Sequence, residues 1–512
     1  MKQEALPLQG QGRKSQIGLF HKNISLKKTW IADPCREGRK DYLMASKISL
    51  LMPFCSETTN RDCALVIATL TSFLPPFMAS SINIALPAIG AEFSMDAVLL
   101  GWIATSYLLS AAVFMVPFGK LADIYGMKKV FFIGIAIFSL SSLIAFFAPT
   151  SAILIVSRVL QGFGSAMIFG TGTAILVNVF PSEERGKVLG INAAFVYLGL
   201  SLGPFLGGLL THYFGWRSLF LINVPLGLIP LALGLWKLKG EWAGARGERF
   251  DLMGSAIYSL MLVAAMFGFS LLPSLQGALL VLAGAAALPI LIRSESRVKS
   301  PVLDVSLFKN NRVYALSNLA ALISYSATFA ITFLLSLYLQ YIKGLEPDQA
   351  GIVMLVQPAV MTILSPYTGK LSDRVEPRLV ASAGMALTFV AVFAFVFIDD
   401  ETSLAAIASS LMVLGLGLAL FTSPNTNAIM SSVEPRHYGV GSATLGTMRL
   451  IGQVSSMSFA MMVFSFYLGE VEITPQHYPE FLAGVKVAFA VFSILCVLGI
   501  FASLARGQLR KK

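Results

Sequence analysis

Arg158 is the residue of this chain with the sharpest chemical consequence, because it stands inside an apolar run, Leu154-Ile-Val-Ser-Arg158-Val-Leu-Gln161-Gly162-Phe-Gly164-Ser-Ala166. A guanidinium stays charged at any working pH, so it cannot itself carry a proton. In an apolar helix it needs carbonyls, a polar partner or water around it. Gln161 lies one helical turn further on the same face and can share its network. Carboxylates are placed differently. Asp96, Glu346, Asp348, Asp399 and Asp400 fall between apolar runs on one side of the chain's path, and Asp123, Asp251, Asp304 and Asp373 on the other. Hydrolytic chemistry finds no Ser/His/Asp or His/Glu set within the runs, since His21, His212, His437 and His477 lie in a tail, at loop ends or in a loop. No GxxxxGK[ST] phosphate cradle is present. Cys35, Cys55, Cys63 and Cys496 have neither metal-ligand nor disulfide-framework spacing. The expectation is a protein that is not an enzyme and that holds no metal and no cofactor.

A second chemical signal is a glycine-and-charge loop, Gly119-Lys-Leu-Ala-Asp123-Ile-Tyr-Gly126-Met-Lys128-Lys129. Gly119 admits a neighbouring helix closely, Gly126 suits a tight reversal, and Asp123 can accept N–H groups at a helix start or pair with a cation. The loop returns 250 residues later as Gly369-Lys370-Leu371-Ser372-Asp373-Arg374, and Gly162-Phe163-Gly164 returns as Gly415-Leu416-Gly417. The chain therefore repeats itself in parallel halves, an arrangement that in membrane transporters puts a site at the midplane between them.

The elements that must position these residues follow from composition. The 512 residues are 56% hydrophobic and only 13% charged, about half the charged share of a typical soluble chain. Apolar runs long enough to cross a bilayer lie at about 64–89, 99–119, 129–148, 152–180, 187–211, 218–237, 252–273, 276–293, 313–341, 349–369, 379–398, 404–432, 438–468 and 484–505. With the N-terminus inside, Lys120, Lys128, Lys129, Arg185, Lys187, Lys237, Lys239, Arg246, Arg249, Arg293, Arg297, Lys370, Arg374, Arg378 and Arg506 all fall inside. Arg217, Lys343, Lys486 and the acidic Asp399-Asp400-Glu401 fall outside. That bias predicts both termini in the cytoplasm of a cell membrane. It accounts for the formal charge of +11 through the lipid surface, with no nucleic-acid partner. The expected domains are a basic N-terminal tail over 1–62, a six-helix bundle over 63–238, two linker helices over 239–305, a second six-helix bundle over 306–506 and a basic tail over 507–512.

These motifs carry a resemblance. The Gly119–Lys129 loop resembles the loop signature of the major facilitator superfamily. Leu154–Ala166 is similar to that superfamily's fourth-helix signature, and Gly199-Leu-Ser-Leu-Gly203-Pro204-Phe-Leu-Gly207-Gly208 to its fifth-helix antiporter signature. Trp102-Ile-Ala-Thr105-Ser-Tyr107 and Trp216-Arg217-Ser-Leu-Phe220-Leu-Ile-Asn223-Val-Pro225 resemble its fourteen-helix drug:proton antiporter branch. The resemblance spans about 64–506. It implies an all-α polytopic membrane protein of the major facilitator fold, two six-helix bundles plus two central linker helices, working as a monomer. It implies proton-coupled efflux of hydrophobic or amphipathic compounds, with Arg158 and Gln161 in the proton relay. Gly119, Asp123, Gly126, Lys128, Gly369, Asp373 and Arg374 would form the conformational switch.

One departure stands out. Where the family's first helix carries an acid, this chain has Met78 in Phe77-Met78-Ala79-Ser80-Ser81-Ile82-Asn83-Ile84-Ala85-Leu86-Pro87. An intramembrane carboxylate is the usual proton carrier of such pumps. Carriage of a defined metabolite without proton coupling therefore stays open, as does a non-transporting scaffold or receptor. Candidates for a central substrate cavity are the polar and aromatic residues within spans: Asn83, Tyr107, Asn192, Tyr197, Gln357, Asn425, Asn427, Arg449 and Gln453.

Overall fold

A computed structural model describes residues 60–272, 274–298, 308–309, 311–433, 438–469 and 471–507. The N-terminal stretch before residue 60, Asp304 and the last five residues lie outside these, and so does the side chain of Asp373. Among the described residues, fourteen helices are long and apolar enough to cross a membrane. They are α1 Asn60–Phe93, α2 Ala97–Tyr125, α3 Met127–Phe146, α4 Ser151–Val179, α5 Ser182–Phe214, α6 Arg217–Lys237, α7 Leu252–Ser270, α8 Leu275–Glu295, α9 Arg312–Leu337, α10 Pro347–Arg374, α11 Pro377–Ala394, α12 Leu404–Ser431, α13 Tyr438–Tyr467 and α14 Tyr478–Ala505. No strand occurs among the described residues.

Helix starts are written by polar caps at the ends of the apolar runs. The side chains of Asp96, Thr150, Asp251, Ser274, Asn311 and Ser403 each accept the N–H three residues on, opening α2, α4, α7, α8, α9 and α12. Gly126, at φ +121°, carries the reversal between α2 and α3. The run expected at about 64–89 is longer in the structure. At 34 residues α1 reaches about 51 Å, well beyond a hydrocarbon core, so it tilts or protrudes.

The helices α1–α6 pack among themselves, as do α9–α14. The internal repeat is visible in the packing. A Cβ on Gly162 would collide with the Tyr107 carbonyl of α2, and one on Gly415 with the Gln357 carbonyl of α10. A Cβ on Gly164 would stand 2.7 Å from the Phe138 nitrogen, and one on Gly417 2.7 Å from the Thr388 nitrogen. A Cβ on Gly199 would stand 2.6 Å from the Phe73 carbonyl oxygen, and one on Gly452 2.6 Å from that of Leu322. Each glycine lets two backbones touch, which is how membrane helices associate without a hydrophobic driving force.

Two seams join the halves, α5 against α10 and α2 against α13. The pair α7–α8 attaches at the second, with α7 packed on both α2 and α13. Tyr258 of α7 donates to the Ala112 carbonyl at 2.9 Å, and Met266 lies against Ser455 and Ser458. Large apolar side chains such as Leu140, Phe147, Leu228, Leu282, Ile363 and Phe501 face outward, as a lipid-bathed surface requires.

Candidate functional site

A cavity of about 100 Å³ lies between the halves. It is lined by Ala79, Ser80 and Asn83 of α1, Tyr197, Leu200, Ser201 and Pro204 of α5, and Tyr325, Thr328, Phe329 and Thr332 of α9. Met354, Gln357, Pro358, Met361 and Thr362 of α10, Leu418 and Thr422 of α12, and Arg449 and Gln453 of α13 complete it. Pockets that hold drug-sized ligands measure roughly 300–1,000 Å³, so such a guest requires the halves to move apart. Of the residues singled out from the sequence, Asn83, Tyr197, Gln357, Arg449 and Gln453 line this space, whereas Tyr107, Asn192, Asn425 and Asn427 stand elsewhere. Tyr325 was not singled out. Its signal was there, a tyrosine between two serines in an otherwise apolar helix. No Asp or Glu lines the cavity.

The cavity closes at the end that carries the α9–α10 turn. A Cβ on Gly351 would collide with the Pro204 carbonyl, and one on Gly208 with that of Pro347. Ser336 donates to the Asn83 carbonyl at 2.6 Å, and Gln340 to that of Ile84 at 3.0 Å. Gly203 and Gly207 seat α5 against Ser80 and Ser81 of α1. The Gly199–Gly208 stripe thus serves two neighbours at once, α1 within its half and α10 across the seam.

Arg158 lies two turns into α4 and is fully buried. Its Nε donates to the Ile103 carbonyl at 3.0 Å, and its Nη1 to the Gln161 side chain. Gln161 donates onward to Ser142 at 2.7 Å. The guanidinium carbon lies 4.3 Å from the Tyr107 ring centroid, and the Tyr107 hydroxyl bonds Ser165 at 2.9 Å. Nη2 has no partner among the described residues. The Tyr107 hydroxyl also reaches the Pro75 carbonyl of α1 at 3.4 Å, and none of these residues lines the cavity. Met78 packs beside Asn223 of α6, whose amide nitrogen lies 3.2 Å from the thioether sulfur and donates to the Leu219 carbonyl at 2.7 Å.

A second buried arginine was read from the sequence as a loop cation. Arg506, at the end of α14, is 1% exposed and donates through Nη1 to Asn425 at 2.8 Å and Ser317 at 3.3 Å. Asn425 in turn donates to the Ser317 carbonyl at 3.1 Å. This accounts for the position of Asn425 away from the cavity. Asn427 donates to Ser372 in the loop-motif repeat at 2.9 Å.

The Gly119–Lys129 loop is held by the segment between α6 and α7. The Glu241 carboxylate accepts the Lys128 N–H at 2.8 Å and lies against Gly126. The Trp242 carbonyl accepts the Met127 N–H at 2.8 Å, and the Ala245 N–H donates to the Asp123 carbonyl at 2.9 Å. Lys120 pairs with Glu248 at 2.7 Å, and Lys128 Nζ donates to the Leu238 carbonyl. Glu241 therefore takes the N–H-accepting role at the α3 start that the sequence offered to Asp123. Gly119 and Gly369 have open space beside them, with only the Ser423 hydroxyl, 3.9 Å from a Cβ on Gly369, in reach. Arg374 is exposed at the end of α10.

Two repeated helix sets around a shared cavity, with glycine seams between them, define a polytopic membrane transporter. The family model described as Major Facilitator Superfamily matches residues 68–457, and the chain belongs to that family. It is 30% identical over 443 residues to the riboflavin transporter RibZ of Clostridioides difficile (strain 630), covering 86% of this chain and 96% of that one. It is 30% identical over 404 residues to the multidrug resistance protein Stp of Mycobacterium tuberculosis (strain CDC 1551 / Oshkosh), covering 78% of this chain and 74% of that one. The fold matches that of a bacterial homolog of the human lysosomal transporter Spinster, in an inward-facing and unoccupied conformation. The TM-score is 0.63 at 16% identity, covering 88% of this chain and 98% of that one.

Proposed function

We propose that this protein is a secondary active exporter of hydrophobic or amphipathic compounds, working by alternating access in exchange for protons. The observation that carries this reading is the cavity lined from both helix sets and closed at the α9–α10 end by backbone contact at Gly208 and Gly351. The moving bodies are residues 63–238 and 306–506, with 239–305 carried between them. Both termini are cytoplasmic, so the closed end faces out and the conformation is sealed to the outside. Gly119, Asp123, Gly126 and Lys128, with their repeat at Gly369, Asp373 and Arg374, govern switching. Arg158 and Gln161 bias the proton path without carrying the proton. The protein works as a monomer in the cell membrane. The relatives named for drug resistance and antibiotic export support the export direction.

A second reading has its own observation. Met78 beside Asn223 and a cavity without Asp or Glu leave no carboxylate at the usual coupling positions. A carrier of one metabolite without proton exchange fits those residues, and a relative is named for riboflavin transport. Proteoliposomes with an imposed substrate gradient and an entrapped pH dye separate the two. Proton counterflow in wild type that vanishes in Arg158→Ala supports the antiporter, and substrate flux with no proton movement refutes it. Reporter fusions at Asp399 and Glu241 should fall on opposite sides of the membrane. Signals from the same side would overturn the topology.

A further inference from the structure

Three arginines sit within helix packing at Arg158, Arg449 and Arg506, and only one of them is left without an acceptor. Arg158 is tied to a carbonyl and to Gln161, and Arg506 to Asn425 and Ser317. Arg449, in the interior of α13, lines the central cavity and has no hydrogen bond or ion pair to any described residue. Its guanidinium carbon lies 5.3 Å from the Tyr325 ring centroid. A guanidinium stacked on a ring keeps its N–H edge free, and that edge matches an oxyanion in a bidentate way. Tyr197 lines the same cavity as Tyr325 and Arg449. A cation held in a membrane helix without a carboxylate is stable where it meets water or a guest of opposite charge. The cavity offers it no acid, and so the balancing charge has to come from what enters.

We propose that the cavity selects aromatic organic anions, with Arg449 taking the guest's carboxylate, sulfonate or phosphate and Tyr325, Tyr197 and Phe329 packing its ring. This rests on the transporter reading for its consequence, since it narrows the exported compounds from amphipaths in general to acidic ones. Export of an anion from an inside-negative cell runs down the electrical gradient by about 2.3 kcal/mol per charge per 100 mV. The assignment therefore also gives such a cycle a driving force that needs no intramembrane carboxylate.

The test is equilibrium binding to the purified full-length protein in nanodiscs, using three radiolabelled probes on one ring system: 2-naphthoate, 2-naphthamide and 2-naphthylmethylammonium. Wild type should hold the carboxylate at least about tenfold tighter than the amide, the scale of a charged hydrogen bond, with the ammonium weakest. Arg449→Gln should bring carboxylate and amide to equal affinity. Arg449→Lys should keep the order with a smaller ratio, because a point charge lacks the fork. Tyr325→Leu should weaken the carboxylate. Ammonium binding as tight as carboxylate, no saturable carboxylate binding, or an unchanged preference in Arg449→Gln would each overturn the proposal. Should Arg449→Gln fail to fold, the wild-type ratio and Arg449→Lys still decide. The same probes in proteoliposomes keep the two claims apart. Anion binding without flux removes the transporter reading and leaves the site, while flux without charge preference removes the site and leaves the transporter.

Discussion

The two seams between the halves occupy corresponding places in the repeat, yet they are built from different materials. Gly351 of α10 meets the Pro204 carbonyl of α5, backbone on backbone. Its counterpart 250 residues earlier, Gly101 of α2, meets the Met461 side chain of α13, with a Cβ at Gly101 falling 2.6 Å from the Met461 Cγ. Thr105 also reaches that sulfur, at 3.3 Å. A backbone contact cannot repack, whereas a methionine with three rotatable bonds can. The α5–α10 seam is a fixed stop and the α2–α13 seam a compliant one, and the compliant one is where α7 is attached. Symmetric topology therefore does not imply symmetric mechanics.

The largest expected effect is at the stop. Gly351→Val should weaken the closed seam by about 1–3 kcal/mol, the range for forcing volume into a packed contact, a shift of about 5- to 150-fold between conformers. Spin labels at Phe214 and Gln349, exposed on the two helices, should report a longer distance, and an unchanged distance would refute the stop. Gly101→Val should do less, about threefold to tenfold in the same ratio, because Met461 can move aside. Adding Met461→Ala should recover most of that loss in a double-mutant cycle, whereas no single side-chain truncation should rescue Gly351→Val. An additive cycle at Gly101 and Met461 would erase the distinction between the seams. The smallest effect belongs to His212, which lies 3.7 Å from Glu346 and 3.8 Å from Asp348 across the rigid seam, partly in solvent. Exposed pairs contribute about 0–1 kcal/mol, so His212→Gln should leave the label distance and thermal midpoint nearly unaltered.

Much of this was legible in the sequence, and the boundary has a physical reason. An apolar run of about 20 residues is a strong signal, and all fourteen spans answer to one. The repeat at Gly162 and Gly415 was visible because glycine is what backbone contact demands. Which face of a helix looks into the cavity is not written in an apolar run. Tyr107 and Gln357 hold matching positions 250 residues apart, yet Gln357 lines the cavity and Tyr107 turns toward Arg158 and Ser165. Arg506 reads as one more cation at a helix end, and its burial follows from α9 and α12 closing around it, which no local pattern encodes. Glu241 was not singled out, because its value depends on a turn more than a hundred residues away.

That last contact bears on where this gene can be divided. The segment from Leu238 to Glu248 grips the α2–α3 turn at five points and Asn60 besides, through paired bonds with Lys239 at 2.8 and 2.9 Å. The helices α7–α8 are thus moored by their leading segment to the first half. Two polypeptides produced separately and split after α8 would each keep their anchorage and could find one another in the membrane. A split inside that segment would cast the helix pair adrift with the second half and strip the α2–α3 turn of its brace.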